Sequence, residues 1–207
     1  MELSDKIVLP KKHLSWSQFS MWKSSPDRYK REYFTKGRRL DTEALRFGKG
    51  FALSIEDGSY KQEVPDLEVY SEVEYEIKEN IQGVNTLSFI DSYDPLLNVF
   101  REYKTGRVPW TKAKVQQHGQ LLYYAVVLRK KTGKMPEYCH LDWIETEHSD
   151  GDDQDFWSRA KKKLVVTGDI KSFEREFDER ELDRMEQDIL KTAQQISNAY
   201  KEFIYEI

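Results

Sequence analysis

The sequence predicts an α/β fold in which a central mixed β-sheet is flanked by helices, and three observations predict it. From Leu67 to Gln82 apolar and charged residues alternate: Val69, Ser71, Val73, Tyr75 and Ile77 fall on one face, and Glu72, Glu74, Glu76 and Lys78 on the other. That period of two is the mark of a long, half-buried strand. Asp94-Pro95 is a turn pair between two β-rich runs, one ending near Asp91 and the next spanning Asn98 to Lys104. A helix from Thr111 to Lys131 then separates the second run from a strand at Tyr138 to Glu145. A crossover of that kind sets the two flanking strands parallel, so an antiparallel meander followed by a parallel strand makes the sheet mixed.

Taken in order, residues 1–13 read as a flexible N-terminus. A helix follows from Ser17 to Phe34, capped by Ser15 or Ser17 and bent at Ser25-Pro26. Its aromatic residues, Trp16, Phe19, Trp22, Tyr29 and Tyr33, keep mostly to one helical face, as core residues do. A second helix runs from Thr42 to Glu56 and contains Gly48 and Gly50. Glycines inside a helix cost about 1 kcal/mol each and mark close packing or the approach of a ligand. Gly83-Val84-Asn85 turns the first strand into the second. Gly133 closes the helix after the third strand. His148 to Asp155 has the composition of a solvated surface loop and lacks the ligand spacing of a calcium loop. Phe156 to Lys162 reads as a short helix, and Leu164 to Thr167 with Ser172 to Phe177 as a hairpin about Gly168-Asp169. Asp178 and Glu181 form a capping box for a last helix, whose stripe of Leu182, Met185, Ile189, Ala193, Ile196 and Tyr200 packs on the body.

With 207 residues, 38% hydrophobic and 13% aromatic, the chain is sized for one domain with its own core, spanning 1–207. No apolar run suits a signal peptide or a membrane span. The one cysteine, Cys139, forms no intramolecular disulfide and fits a reducing cytoplasm. A net charge of −4 excludes a protein that coats nucleic acid through overall basicity, so a polyanion has to be held by local patches. The candidates are Arg28/Lys30/Arg31, Lys36 to Arg39, Lys112/Lys114 and Lys161 to Lys163. Arg38 and Arg39, with Lys112 and Lys114, are the expected phosphate contacts.

Chemistry concentrates between Ser88 and Tyr124. With the turn at Pro95 to Asn98, Asp94 faces Val99 and Asp91 faces Glu102. Glu102 and Lys104, two apart on a strand, project from the same face. Two carboxylates supply hard oxygen ligands for Mg²⁺ or Mn²⁺ while leaving positions open for water and a phosphate oxygen. A lysine beside them can hold that water or the phosphate as a compact positive charge. Gln120 and Tyr124 are i,i+4 neighbours on the following helix and can orient these groups by hydrogen bonds. The triplet alone is a weak signal, because Glu76-Ile-Lys78 and Asp169-Ile-Lys171 share its form. Only Glu102-Tyr-Lys104 also has an upstream aspartate across a hairpin and a Gln/Tyr helix behind it.

Asp91, Glu102-Tyr103-Lys104 and Gln120-Leu-Leu-Tyr-Tyr124 together resemble the D…(D/E)xK…QxxxY signature of the PD-(D/E)XK nucleases, in their RecB-like exonuclease branch. Leu14-Ser15-Trp16-Ser17, Ser25-Pro26 and Phe47-Gly48-Lys49-Gly50 are similar to further landmarks of that branch. The resemblance covers the chain from Leu14 to the last helix. It implies a restriction-endonuclease-like core and divalent-metal cleavage of DNA. It also implies catalytic roles for Asp91, Glu102, Lys104, Gln120 and Tyr124, and metal ligation by Asp91, Glu102 and the Tyr103 carbonyl.

Two departures stand out. Many RecB-like members carry a metal-binding histidine where this chain has Ala52. Glu56, one turn further along the same helical face, is the expected substitute, ahead of Glu43. A four-thiolate iron–sulfur cluster, found in some relatives, is excluded by the single cysteine. The resemblance implies an exonuclease on linear DNA in recombination, repair or phage DNA processing. The alternative is a catalytically inactive module that binds DNA or protein, and a site-specific endonuclease is a third reading. The phosphate-binding pattern G-x-x-x-x-G-K-[ST] is absent, so processive digestion would need a partner such as a helicase or recombination protein.

Overall fold

A computed structural model of the chain describes residues 6–35, 37, 41–149 and 163–205. Arg38, Arg39, Lys36, Lys161, Lys162, the acidic residues 150–155 and the expected helix at 156–162 lie outside the described residues. The elements in order are α1 (Trp16–Ser24), α2 (Pro26–Tyr29), α3 (Glu43–Asp57), β1 (Glu72–Ile81), β2 (Val84–Asp94) and β3 (Val99–Gly106). Then follow α4 (Lys112–Gln116), α5 (Gly119–Thr132), β4 (Tyr138–His148), β5 (Leu164–Glu176) and α6 (Glu179–Tyr205). A π-helical turn, Lys30–Phe34, extends α2, and a 3₁₀ turn, Ser59–Gln62, follows α3.

The five strands form one sheet in the order β1-β2-β3-β4-β5. All neighbours are antiparallel except β3 and β4, which run parallel through the α4–α5 crossover. The mixed sheet is therefore as expected. Asp94 pairs with Val99, which places the β2–β3 turn where Asp94-Pro95 indicated. Helices cover both faces. Along β4, Cys139, Leu141 and Trp143 join a large core with α1, α5 and α6. Ile144, one residue further, joins Phe51 and Ile55 of α3 on the opposite face.

The helix ends follow local chemistry. Ser15 caps α1 by accepting from the Gln18 N–H, and Thr42 caps α3 by accepting from Leu45 N–H. Asp178 Oδ1 accepts from the Arg180 and Glu181 N–H groups at 2.7 and 3.1 Å, which caps α6. Half of the expected box is absent, since the Glu181 carboxylate lies 3.5 Å from Arg175 Nη2 instead. Phe19, Trp22, Tyr29 and Tyr33 are all buried, in keeping with the core reading.

Four expectations need correction. Residues 7–14 are not a free tail: Leu9 is buried, Val8 N–H donates to Ser197 Oγ, and Leu14 bridges to Thr86. Residues 164–176 form one strand rather than a hairpin, because β4 pairs with it on both sides of Gly168 and a register shift absorbs the irregularity. The helix expected from Thr111 to Lys131 is two helices. His118, with extended backbone, separates α4 from α5, and at Gly119 a Cβ would lie 2.7 Å from Trp16 Cη2. The Trp16 ring thus reaches the start of α5 only because residue 119 has no side chain. Finally, the alternation of β1 breaks at Glu74: Val73 packs on the α3 side, whereas Tyr75 and Ile77 join the larger core.

Candidate active site at the fork of the sheet

β1 and β2 pair from Glu72↔Tyr93 to Ile81↔Val84 with Glu74 and Asp91 left out of the ladder, but β2 and β3 pair only through Ser92↔Arg101, Tyr93↔Phe100 and Asp94↔Val99. Beyond those residues the strands part. Asp91 is the first residue of β2 past the last pair, and Glu102 the first of β3. The two carboxylates therefore flank the vertex of a fork. The Tyr103 N–H donates to Asp91 Oδ2 at 2.7 Å, so a side chain serves as its acceptor here.

A cavity of about 380 Å³ opens at this fork. The strands contribute Glu74, Asp91, Glu102, Tyr103, Lys104 and Thr105, and α3 forms the facing wall with Gly48 and Ala52 among its residues. Small residues on that wall leave room over the carboxylates: even a Cβ at Gly48 would meet only Thr105 Oγ1, at 3.9 Å.

Four of the five expected catalytic residues form one hydrogen-bonded chain. Lys104 Nζ makes a short, charge-assisted contact with Glu102 Oε1 and donates to Gln120 Oε1 at 3.0 Å. Gln120 Nε2 donates to Tyr124 Oη at 2.9 Å. The amide orientation of Gln120 is thereby set by its two partners, a cation on one side and a phenol on the other. The break at His118 starts α5 where its first turn carries Gln120 to Lys104.

Electrostatics at the site are those of crowded carboxylates. Burial pushes the Asp91 carboxyl well above the usual range, and the neighbouring Glu102 charge adds to this. Burial also works against the Lys104 charge, but Glu102 and Asp91 outweigh it and raise the ammonium above its ordinary value. Tyr124, buried beside the same two carboxylates, is raised well above a normal phenol and stays protonated. His118 is pushed down to about 4, chiefly by burial and then by the Lys104 charge. It packs against Trp110 and Trp16 as a neutral ring.

The donor set fits a hard divalent cation. Glu102 is only 2% exposed, yet its Oε2 is buried without a hydrogen-bond partner, an uncommon condition for a carboxylate oxygen. Asp91 keeps Oδ1 free of the backbone bond. Among the described residues no three His, Cys, Asp or Glu side chains are gathered closely enough to hold an ion by themselves. Water and a backbone carbonyl would have to complete the shell, as is usual for Mg²⁺.

The remaining expected residues are less central. Glu56 is exposed on α3 and is not part of the cavity wall. Lys112 and Lys114 are exposed on α4, and Lys114 Nζ sits 4.1 Å from the Trp110 ring centroid. Neither lysine lines the cavity. Glu74 does, although strict alternation assigns it to the solvent face; no signal in the sequence marks the kink that turns it inward. Lys49 and Thr105 of the wall were likewise not singled out.

No family model matches the sequence, and no curated protein matches it. Solved structures do. A "putative exonuclease" from Eubacterium rectale superposes with a TM-score of 0.55 at 12% identity, covering 97% of this chain and 88% of its own. A phage-related exonuclease from Haemophilus somnus superposes with a TM-score of 0.55 at 13% identity, over 89% of this chain and 82% of its own. The chain thus has the α/β fold of these exonuclease structures, a mixed five-stranded sheet flanked by helices.

Proposed function

We propose that the chain is a metal-dependent nuclease of the RecB-like type, hydrolysing phosphodiester bonds in DNA and acting on the ends of linear molecules. The observation that carries this is the unbroken chain Glu102–Lys104–Gln120–Tyr124 at the fork, with Asp91 across the vertex. Asp91 Oδ1, Glu102 and the Tyr103 carbonyl would hold Mg²⁺ or Mn²⁺. The bound ion supplies a water of lowered pKa and offsets charge on the phosphoryl group.

The chain's own residues do the rest. Lys104, kept charged by the two carboxylates, holds the attacking water or a scissile phosphate oxygen. Gln120 restrains the lysine through its carbonyl, and Tyr124 restrains Gln120, so the ammonium meets the substrate in one orientation. On the α3 wall Gly48 and Ala52 offer a nucleotide no hydrogen-bonding side chain, and Lys49 offers a positive charge that suits a phosphate. Lys112 and Lys114, with Arg38 and Arg39, are proposed to contact phosphates farther along the strand. Digestion deep into a duplex would draw on a strand-separating partner.

A second reading, a module that binds without cutting, is favoured by one observation: Ala52 offers no ligand from the α3 wall. The deciding assay incubates linear and circular DNA, single- and double-stranded, with Mg²⁺ or Mn²⁺, alongside Lys104→Ala. Loss of linear DNA alone, dependent on metal and abolished by the substitution, supports the exonuclease. Nicked circles indicate an endonuclease, and retained binding without cleavage in either metal indicates the binding module.

A further inference from the structure

Past the vertex of the fork the sheet consists of two halves. β1 and β2 form one; β3, β4 and β5 form the other, with the β3–β4 ladder running from Phe100↔Cys139 to Gly106↔Glu145. Asp91 rides on the first half and Glu102 on the second. Asp91 is left out of the ladder on both sides. β3 no longer pairs with it, and on β1 the residue opposite, Glu74, takes left-handed backbone at φ 47°. Ladder hydrogen bonds therefore do not fix the gap between the two carboxylates.

Among the described residues two hydrogen-bonded ties cross the fork beyond the last pair, and both end on Tyr103. One is the bond from its N–H to Asp91 Oδ2. The other starts from its hydroxyl. Tyr103 Oη donates to the Glu68 carbonyl at 2.9 Å, so the Ser92 hydroxyl must be the donor in its 2.8 Å bond with Tyr103 Oη. Ser92 Oγ in turn accepts from the Tyr70 N–H at 3.2 Å. The relay has one direction, Tyr70 to Ser92 to Tyr103 to Glu68, and each hydroxyl in it both gives and receives. Ser92 is fully buried, so a lost partner would leave its hydroxyl unpaired in the interior.

The segment that receives the relay is itself held against β3. The Glu68 carboxylate contacts Arg101 Nη2, and the Tyr70 ring centroid lies 5.0 Å from the Arg101 guanidinium. Residues 68–70 thus grip both chain neighbours of Glu102, Arg101 and Tyr103, and reach β2 through Ser92. Side chains of neighbouring strand residues project to opposite faces, so this brace acts on Glu102 through the backbone.

We propose that Tyr103 is a positioning residue: its side chain, with Ser92 and residues 68–70, sets the spacing of Asp91 and Glu102 and thereby the affinity of the site for a divalent cation. The inference rests on the nuclease reading and adds to it a residue that acts through the carboxylates.

The test measures the Mn²⁺ dissociation constant of the full-length chain without DNA, from the electron paramagnetic resonance signal of the free ion. Each protein is held well below its own unfolding midpoint. Tyr103→Phe removes one oxygen and keeps the ring, which packs against the cluster of Phe51, Ile55 and Ile144. Ser92→Ala cuts the same relay from β2. Each is expected to weaken Mn²⁺ binding roughly tenfold. The double variant should bind no more weakly than the weaker single, since one relay is cut once. A residue serving the fold alone would lower the unfolding midpoint and leave the dissociation constant unchanged, and that result overturns the proposal. Losses that multiply in the double variant also overturn it, because they report two separate effects. A wild type that binds no Mn²⁺ takes the nuclease reading down with it, whereas variants that bind as tightly as a binding wild type leave that reading standing.

Discussion

Replacing Lys104 with methionine separates the two duties proposed for this residue, holding the site together and serving the reaction. The methionine keeps most of the stem's packing but removes the ammonium that contacts Glu102 and Gln120. Glu102 has a side chain only 3% exposed, so it would be left as a buried charge. Breaking a fully buried ion pair on one side costs about 3–5 kcal/mol. The Lys104 side chain is 27% exposed, so water already screens part of the pair and about 2–3 kcal/mol is the fair expectation. For a domain of this size that corresponds to a fall in melting temperature of roughly 4–12 °C. If Glu102 is a metal ligand, saturating Mg²⁺ gives the stranded carboxylate a new partner, and the deficit should shrink by half or more. Nuclease activity should be lost in both cases. Scanning calorimetry with and without Mg²⁺, paired with a linear-DNA digestion assay, reads all three. An equal deficit with and without Mg²⁺ would refute the claim that the ion sits at Glu102, and retained cleavage would refute the role of the ammonium.

Glu74→Gly should raise stability in metal-free buffer by about 1 kcal/mol, since left-handed backbone disfavours any residue with a Cβ; a lower denaturant midpoint would show that no strain is stored there. His118 is held neutral, with its pKa lowered from 6.5 to about 4. The unfolded chain binds the extra proton first, so this contribution is full above pH 6.5 and is lost progressively as pH falls toward 4, on the order of 3 kcal/mol at most. Urea unfolding of wild type and His118→Gln across that range should give a shallower pH slope in the variant. Arg101→Met strands Asp142, whose Oδ2 accepts from Arg101 Nη1 at 2.8 Å in a pair with side chains 6% and 1% exposed. A loss of about 3–5 kcal/mol is expected, with metal binding at low temperature unchanged; a shift in Mn²⁺ affinity would mean that the pair supports the site directly.

How much of this was legible in the sequence depended on whether the signal was local. The hairpin about Pro95 was readable because Asp-Pro is a turn pair whose register follows by counting, and that register places Asp91 next to Glu102. The i,i+4 spacing of Gln120 and Tyr124 was readable for the same reason. The division of α4 from α5 was not, because Gly119 is needed only once Trp16, more than a hundred residues earlier, packs over it. Glu74 was misread for a related cause. Alternation assumes uniform strand backbone, and a single left-handed residue reverses the faces on either side of it without leaving a mark in composition. Glu56 lay on the expected helical face, but a helix-face argument does not say how far that face extends past the cavity. The segment 164–176 read as a hairpin because Gly168-Asp169 has turn composition; pairing with β4 on both sides of it outweighs that local preference.

The bond from Tyr103 N–H to Asp91 Oδ2 has a consequence for how this protein can be silenced. Asp91 is a stitch between diverging strands and, in the function proposed above, a cation ligand as well, and the two duties fall to different oxygens. Asparagine can keep the stitch through its amide oxygen while surrendering the negative charge; alanine drops both. A truncation at this position would therefore confuse a frayed sheet with a disarmed enzyme, whereas the amide isolates the charge. The same anchoring means that the carboxylate need not search for its orientation when an ion arrives, so the readiness of the site is built into the weave of the sheet.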